Sequence, residues 1–233
     1  MKAAHGVATA LLLVGCASDR PALDDFSRAY TGFFDCAELT NQAARIPVDR
    51  DSEYWKALTQ AVDTRASNRY RARAATAALA AYHGQTATVM AILYESIASM
   101  DSSSAVLIEA ANRIKNADAR ARAVATAEHA RALQVAFATL VPLYERRFEL
   151  QLEVLRDMVA DNGALTAIVS NRHGSEELGT LVAESDTRWK EAADNWHKAE
   201  DSFSAMKGQF ALTTYRSRWE DSTTVASDRE LAR

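Results

Sequence analysis

Cysteine, proline and glycine are all scarce in this sequence of 233 residues, which contains 2, 3 and 8 of them respectively. Two cysteines can form at most one disulfide, so the disulfide-rich class of small secreted domains is excluded. Few residues interrupt a helix, and the good helix formers Ala, Arg, Glu and Leu recur throughout the chain. With 48% hydrophobic and 25% charged residues, the chain can bury a core. This composition predicts a folded, helical protein.

Excess positive charge and the common catalytic motifs are also missing. The formal net charge is −4, and no basic patch is interleaved with aromatic residues, so we expect no nucleic-acid partner. The P-loop, H-E-x-x-H, G-x-S-x-G and dinucleotide-binding glycine patterns do not occur. We therefore expect no cofactor held in a binding site.

The first sixteen residues have the order of an export signal. Lys2 supplies the positive charge, and Gly6–Val14 is an apolar run that is too short to span a bilayer, which needs about 20 apolar residues. The run ends in Leu13-Val14-Gly15-Cys16, which resembles the lipobox of bacterial lipoproteins. This resemblance covers the signal and Cys16 only. It implies that Cys16 receives a thioether-linked diacylglycerol, that the chain is cut before it, and that its new amino terminus is acylated, for example with palmitate.

The residues after Cys16 bear on the location of the protein. Ala17 and Ser18 follow, so no Asp stands immediately after Cys16, which by resemblance to Gram-negative sorting favours the outer membrane, facing the periplasm, over inner-membrane retention. Two or three acyl chains anchor a protein firmly, since each buried CH₂ contributes about 0.8 kcal/mol. The alternative is a cytosolic protein whose first helix is apolar. We predict a signal peptide, a lipidated tether, a helical bundle domain and a flexible tail, over residues 1–15, 16–21, 22–220 and 221–233.

The first helix of the predicted domain begins near Pro21 and ends before Pro47, because the residue preceding proline disfavours the helical region. Cys36, which has no disulfide partner once Cys16 is lipidated, is expected to behave as a small buried hydrophobe rather than a redox group. An apolar stripe on this helix is assigned to the core rather than to a membrane-facing surface, and its residues are Phe26, Tyr30, Phe33, Ala37 and Ala44.

Two long segments predict a central antiparallel hairpin. One starts at Asp49 or Asp51 and continues to about Met100, where residues 101–104 form a break; the other spans Ala105 to about Ala160, with a kink at Pro142. A turn near Ser102 sets two groups of alanines opposite each other, which favours close helix packing. Alternatively, the alanines only reflect helix propensity. The predicted opposing groups are Ala74, Ala77 and Ala81 with Ala130, Ala127 and Ala123.

A last helix, beginning at Ser175, has apolar or small residues at alternating spacings of four and three, which is a heptad seam. The seam packs either against the hairpin of the same chain or against a second copy, giving a homodimer. The fold class we predict is all-α: an elongated antiparallel helical bundle of three to four helices, with a long central hairpin and a coiled-coil-like C-terminal helix. The seam residues are Leu178, Val182, Ser185, Trp189, Ala192, Trp196, Ala199, Phe203, Met206 and Phe210.

Two sets of residues are candidates for a site. Asp194 and His197 lie three residues apart, which is the spacing used by carboxylate-bridged di-metal bundles. Glu145, Glu149 and Glu153 could supply further carboxylates, although the sequence contains no second acid-x-x-His motif.

The second set is a candidate interaction surface. Its arginines either keep the helix soluble or contact anionic lipid or cell-wall polymer, and its tryptophans offer aromatic contact area. This second set comprises Arg65, Arg69, Arg73, Trp189 and Trp196.

The function we predict is that of a non-catalytic scaffold, adaptor or inhibitory protein of the immunity or exclusion type, bound to the membrane through its lipid and to an unidentified protein partner. The alternative is a metal-binding or enzymatic helical bundle that uses Asp194 and His197.

Overall fold

The computed structural model of the chain describes residues 4–61, 67–160 and 172–212, and every regular element in these ranges is an α-helix. The predicted all-α class and the antiparallel bundle packing are confirmed. The helices are α1 (Ala4–Ala61), α2 (Asn68–Asn112), α3 (Ala117–Ala160) and α4 (Arg172–Phe210).

The helices contribute to two compact units. Unit 1 contains the residues up to Leu39, Ala98–Val135 and the residues from Ala192 onward, and unit 2 contains Thr40–Ile97 and Ala136–Glu191. Each helix has residues in both units, so each unit is built from a portion of all four helices.

Aromatic side chains of α1 and α4 form much of the core of unit 1. Tyr30 stacks on Phe203 with ring centroids 3.8 Å apart, and Phe34 meets Trp196 edge to face at 4.7 Å. Residue numbers rise along α1 while they fall along α4, so the two helices are antiparallel. The predicted assignment of the α1 stripe to the core is confirmed, since Phe26, Tyr30, Phe33, Ala37 and Ala44 are all buried.

Asp19 joins α1 to the connection between α2 and α3 in unit 1. Its carboxylate, which is 2% exposed, accepts hydrogen bonds from the backbone N–H groups of Lys115 (3.2 Å) and Asn116. The side chain of Asn116 in turn accepts a bond of 3.0 Å from the N–H of Ala119, as an N-cap residue does. Side chains therefore satisfy backbone donors at this turn and fix its position against α1.

In unit 2, α2 packs on α3 and α3 packs on α4. Tyr82 lies edge-on to Phe148 with centroids 5.9 Å apart and donates its hydroxyl hydrogen to Gln151. Phe137 of α3 and Trp189 of α4 pack at right angles, with centroids 5.8 Å apart. This contact sets the seam of α4 against the hairpin of the same chain, which is the intramolecular one of the two predicted alternatives.

The prediction that the first helix ends before Pro47 is wrong, and so is the prediction of a new helix start at Asp49 or Asp51. α1 continues to Ala61, and its backbone is also helical over residues 16–21, the predicted tether. A proline inside a helix costs about 3 kcal/mol. Burial of Pro47 and of the preceding Ala43 and Ala44 in unit 2 opposes this cost.

The break predicted at residues 101–104 is also wrong, because α2 continues to Asn112 and α3 begins at Ala117 rather than Ala105. The hydroxyl of Ser102 donates to the carbonyl of Ala98 at 3.0 Å, so this turn-forming side chain is accommodated within the helix. The turn of the hairpin lies at residues 113–116. Pro142 lies inside α3 as predicted.

The later turn changes the register of the hairpin. The alanines predicted to face each other belong to different units: Ala74, Ala77 and Ala81 to unit 2, and Ala123, Ala127 and Ala130 to unit 1. The latter three are buried, whereas Ala77 and Ala81 are exposed. The predicted alanine pairing is therefore wrong.

α4 begins at Arg172, three residues before the predicted start at Ser175. None of its ten seam residues is exposed. The predicted tail at 221–233 lies outside the described residues. No described helix combines the length and the hydropathy that a bilayer span requires.

Candidate interaction surfaces

The two seam tryptophans take different positions. Trp196 is 1% exposed and belongs to the core of unit 1, which argues against its use as a surface contact. Trp189 is half-buried in unit 2, and its indole N–H donates to the hydroxyl of Tyr144 at 2.8 Å. The pKa of Tyr144 is raised to about 12, chiefly by burial. The bond from Trp189 and the charge of Arg147 oppose this rise, and the nearby Asp186 adds to it.

Asp194 and His197 lie on the exposed side of α4 in unit 1. His197 is 61% exposed, and its Nδ1 lies 3.9 Å from an oxygen of Glu200. Within the described residues, no three His, Cys, Asp or Glu side chains are grouped so that they could hold a metal ion. The metal-binding alternative therefore depends on the sequence motif alone.

The carboxylates proposed as additional ligands lie in unit 2 and have other partners. Glu145 accepts the hydroxyl hydrogen of Tyr94, and Glu149 and Glu153 lie 3.3 and 3.8 Å from Arg146. Arg146 also donates to both oxygens of Glu177, at 2.7 and 3.1 Å, and these bonds lower the pKa of Glu177. This charge cluster links α3 to α4.

The predicted arginine surface is partly described. Arg69 and Arg73 are exposed on α2 in unit 2, and Tyr70, beside them, is 55% exposed. The side chain of Arg65 lies outside the described residues.

Cys36 is half-buried in unit 1, with its sulfur 3.2 Å from the hydroxyl oxygen of Ser103.

Unit 1 contains an open groove between α1 and α2 that sequence reasoning missed. Its volume is about 520 Å³. Phe33 and Ala110 are buried beneath it, and a Cβ atom added at Gly32 would meet no atom within 4 Å. Val106, at its edge, is 52% exposed. We call this feature the unit 1 groove; its lining residues are Asp25, Arg28, Ala29, Gly32, Phe33, Ser102, Ser103, Val106, Ala110 and Arg113.

Charged pairs border the unit 1 groove. The guanidinium of Arg28 pairs with the carboxylate of Asp25 on α1, and on α2 Arg113 lies 3.5 Å from Glu109. These side chains are largely exposed, so each pair contributes little to stability and remains accessible to a partner. The groove thus combines an apolar floor with a rim that carries both signs of charge.

No protein-family model matches the sequence, and comparisons with curated proteins and with solved structures find no match either.

Proposed function

We propose that this chain is a lipid-anchored, non-catalytic protein-interaction module of the cell envelope, acting as a scaffold, an adaptor or an inhibitory protein. Cys16 carries the diacylglycerol and acyl chains that hold it at the outer membrane, facing the periplasm. The order of a positive Lys2, an apolar Gly6–Val14 and a lipobox-like Leu13–Cys16 supports the anchor.

The observation that carries the interaction role is the unit 1 groove. A volume of about 520 Å³ is comparable to that of ligand pockets and accepts a bulky apolar side chain. Gly32 leaves space for such a side chain, and Val106 would become buried beside it. Burying an exposed valine contributes about 1.5 to 3 kcal/mol at most, so the half-exposed Val106 offers about half of this.

The rim of the groove indicates the chemistry of the partner. An amphipathic helix can lay its apolar stripe along a groove between two helices, anchored by side chains three and four residues apart. The Arg28–Asp25 and Arg113–Glu109 pairs suit a helix with charges of both signs beside that stripe. We therefore propose that the groove receives an amphipathic helix of another envelope protein.

Photocrosslinking in intact cells tests this role. A photo-crosslinking amino acid at Val106 should capture one specific partner. The matched control is Val135, which is 50% exposed, lies in unit 1 and does not line the groove. A Gly32→Trp substitution fills the groove without a clash at its Cβ, so it should abolish capture from position 106 while leaving the fold intact.

The outcomes separate the alternatives. Equal capture from positions 106 and 135, or capture that persists in the correctly folded Gly32→Trp variant, would overturn the groove as the partner site. If position 106 captures only phospholipid, the groove binds membrane lipid and the protein-partner proposal fails.

A further inference from the structure

The outward face of α2 in unit 2 lacks charge over an unusual length. Between Arg73 and Glu95 the sequence contains no Asp, Glu, Lys or Arg for 21 residues. The exposed positions of this stretch fall mainly in adjacent pairs, at 76–77, 80–81, 83–84, 87–88 and 91–92. The pairs recur every three or four residues, so they share one broad side of the helix, which also carries the polar Thr76, His83 and Thr88. They are mostly small, and the central ones are Ala77, Ala80, Gly84, Ala87 and Ala91.

A solvated helix face normally carries charged residues. α4 follows this rule, since its exposed positions include Lys190, Glu191, Asp194, Lys198 and Asp201. α2 does not follow it. In unit 2 the inner side of α2 contributes the buried Val89 and Leu93 to the core, and its outer side includes Ile92, which is 44% exposed. A helix whose inner side is apolar and whose outer side carries no Asp, Glu, Lys or Arg favours a second packing partner.

The order of residues on this face is self-complementary. If a second α2 lies antiparallel to the first, with a two-fold axis at Gly84, Ala77 faces Ala91 and Ala81 faces Ala87 of the second copy. Small residues meeting small residues allow the helices to approach at the short end of the usual 8 to 10 Å range. A Cβ added at Gly84 would meet no atom of its own chain within 4 Å, so the centre of this contact is open.

Charges complete the match at both ends. The same register sets the exposed Arg73 of each copy opposite the exposed Glu95 of the other. These two residues cannot pair within one chain, because 22 residues of helix separate them by about 33 Å. Charge complementarity therefore identifies the occupant of this face as a second copy of the chain.

We propose that two copies of this protein associate through the outward face of α2, antiparallel, about a two-fold axis at Gly84. A contact about 33 Å long and one helix diameter wide covers roughly 400 Å² per copy, or about 800 Å² in total, which is less than the roughly 1,000 Å² that a stable specific interface buries. We therefore expect a weak dimer whose formation is favoured when both copies are confined to one membrane. This contact lies in unit 2 and is independent of the unit 1 groove.

The first test uses the symmetry of the contact. Residues on a two-fold axis meet their own copies, so Gly84→Cys in full-length chains should form a disulfide-linked dimer under mild oxidation of membranes. The matched control is Ala183→Cys, an exposed small residue of α4 in unit 2. Both cysteine variants also carry Cys36→Ser, so that Cys36 cannot form a disulfide. The Cys36→Ser protein without a further substitution serves as a control, because any dimer that it forms must arise through Cys16. Several-fold more dimer from position 84 than from position 183 supports the proposal.

The second test exchanges the charges in the Gly84→Cys chain. Arg73→Glu or Glu95→Arg alone sets like charges against each other, and each should reduce the crosslinked dimer about tenfold. The double variant restores opposite charges between copies and should recover it. Equal crosslinking at positions 84 and 183, no recovery in the double variant, or crosslinking of position 84 only to a different protein would each overturn the proposal.

Discussion

Tyr144 and Trp189 connect α3 to α4 in unit 2 by a hydrogen bond between two aromatic side chains. The Tyr144 ring is fully buried, and its hydroxyl oxygen accepts the indole N–H of Trp189 at 2.8 Å. Burial favours the neutral phenol, and this is why its pKa rises to about 12 from the usual value near 10. The pair therefore makes stability depend on pH in the alkaline range.

We expect the free energy of unfolding to fall as the pH rises from about 10 to about 12. The folded-state pKa of Tyr144 exceeds the unfolded value, so its contribution is complete below pH 10 and is lost as the pH passes through the folded pKa. A difference of two pKa units corresponds to about 3 kcal/mol. Chemical denaturation at several pH values measures this dependence.

Tyr144→Phe should remove that part of the alkaline fall, whereas Tyr70→Phe, which changes an exposed tyrosine, should retain it. Equal pH profiles for the wild type and the Tyr144→Phe protein would show that Tyr144 does not cause the fall.

Phe203 is the aromatic residue on which two rings of α1 converge in unit 1. Its ring centroid lies 3.8 Å from that of Tyr30 and 6.3 Å from that of Phe26. We expect Phe203→Ala to lower the free energy of unfolding by about 3 to 5 kcal/mol, because it leaves a cavity in the core. Leu39→Ala removes a side chain of the same unit that is 61% exposed and should change it by less than about 0.5 kcal/mol. Similar losses in both variants, measured by urea unfolding, would contradict this account.

The C-terminal end of α4 is fixed by a left-handed residue and by hydrogen bonds from α1. Ala211 follows its last residue with φ at 51°, the left-handed conformation that commonly ends a helix and that glycine adopts without strain. Arg20 of α1 donates to the carbonyl oxygens of Ala211 (2.9 Å) and Phe210 (3.4 Å), and Leu212 is buried. The end of α4 is therefore joined to α1 within unit 1.

Ala211→Gly should raise the free energy of unfolding by about 1 kcal/mol, because it relieves the strain of a left-handed alanine. Ala205→Gly is the matched control, since this alanine is exposed in the interior of the same helix. There the substitution should cost about 1 kcal/mol. The two changes are chemically identical, so thermal unfolding should give opposite signs, and equal signs would refute the assignment of strain to Ala211.

For the whole molecule, the central prediction is the lipid anchor. Cys16→Ser should release the protein from the membrane fraction and leave it uncleaved by the lipoprotein pathway, because the proposed acyl chains would supply the membrane affinity. Cys36→Ser is the matched control and should remain bound. Fractionation of cells measures both, and a Cys16→Ser protein that stays in the membrane fraction would disprove lipidation as the means of attachment.

The helical class and the inward faces of the helices were readable from local sequence. The seam on α4 and the aromatic stripe from Phe26 to Phe33 repeat at helical spacing, and both stripes are largely buried. Periodic burial leaves this signal because a helix must direct one side to the core. The uncharged stretch between Arg73 and Glu95 was equally visible in the sequence, but only its exposure marks it as a candidate surface.

The helix boundaries were less predictable, because they depend on competition between local preference and packing. Pro47 and the serines at 102–104 favour a break locally, yet the helices continue through them. The hairpin turn occurs instead at residues 113–116, where Asp19, distant in sequence, accepts the free N–H groups of Lys115 and Asn116. Such a contact cannot be read from neighbouring residues.

Sequence alone thus determined the all-helical class and which sides of the helices are apolar, since both follow from composition and short-range periodicity. The tertiary structure decided where the helices end, which units they build and which small or apolar residues remain exposed. These outcomes depend on residues far apart in the chain, such as Phe34 with Trp196 in the core, and Phe33 with Val106 in the lining of the unit 1 groove. Scarce proline and glycine permit long helices, but packing selects their partners.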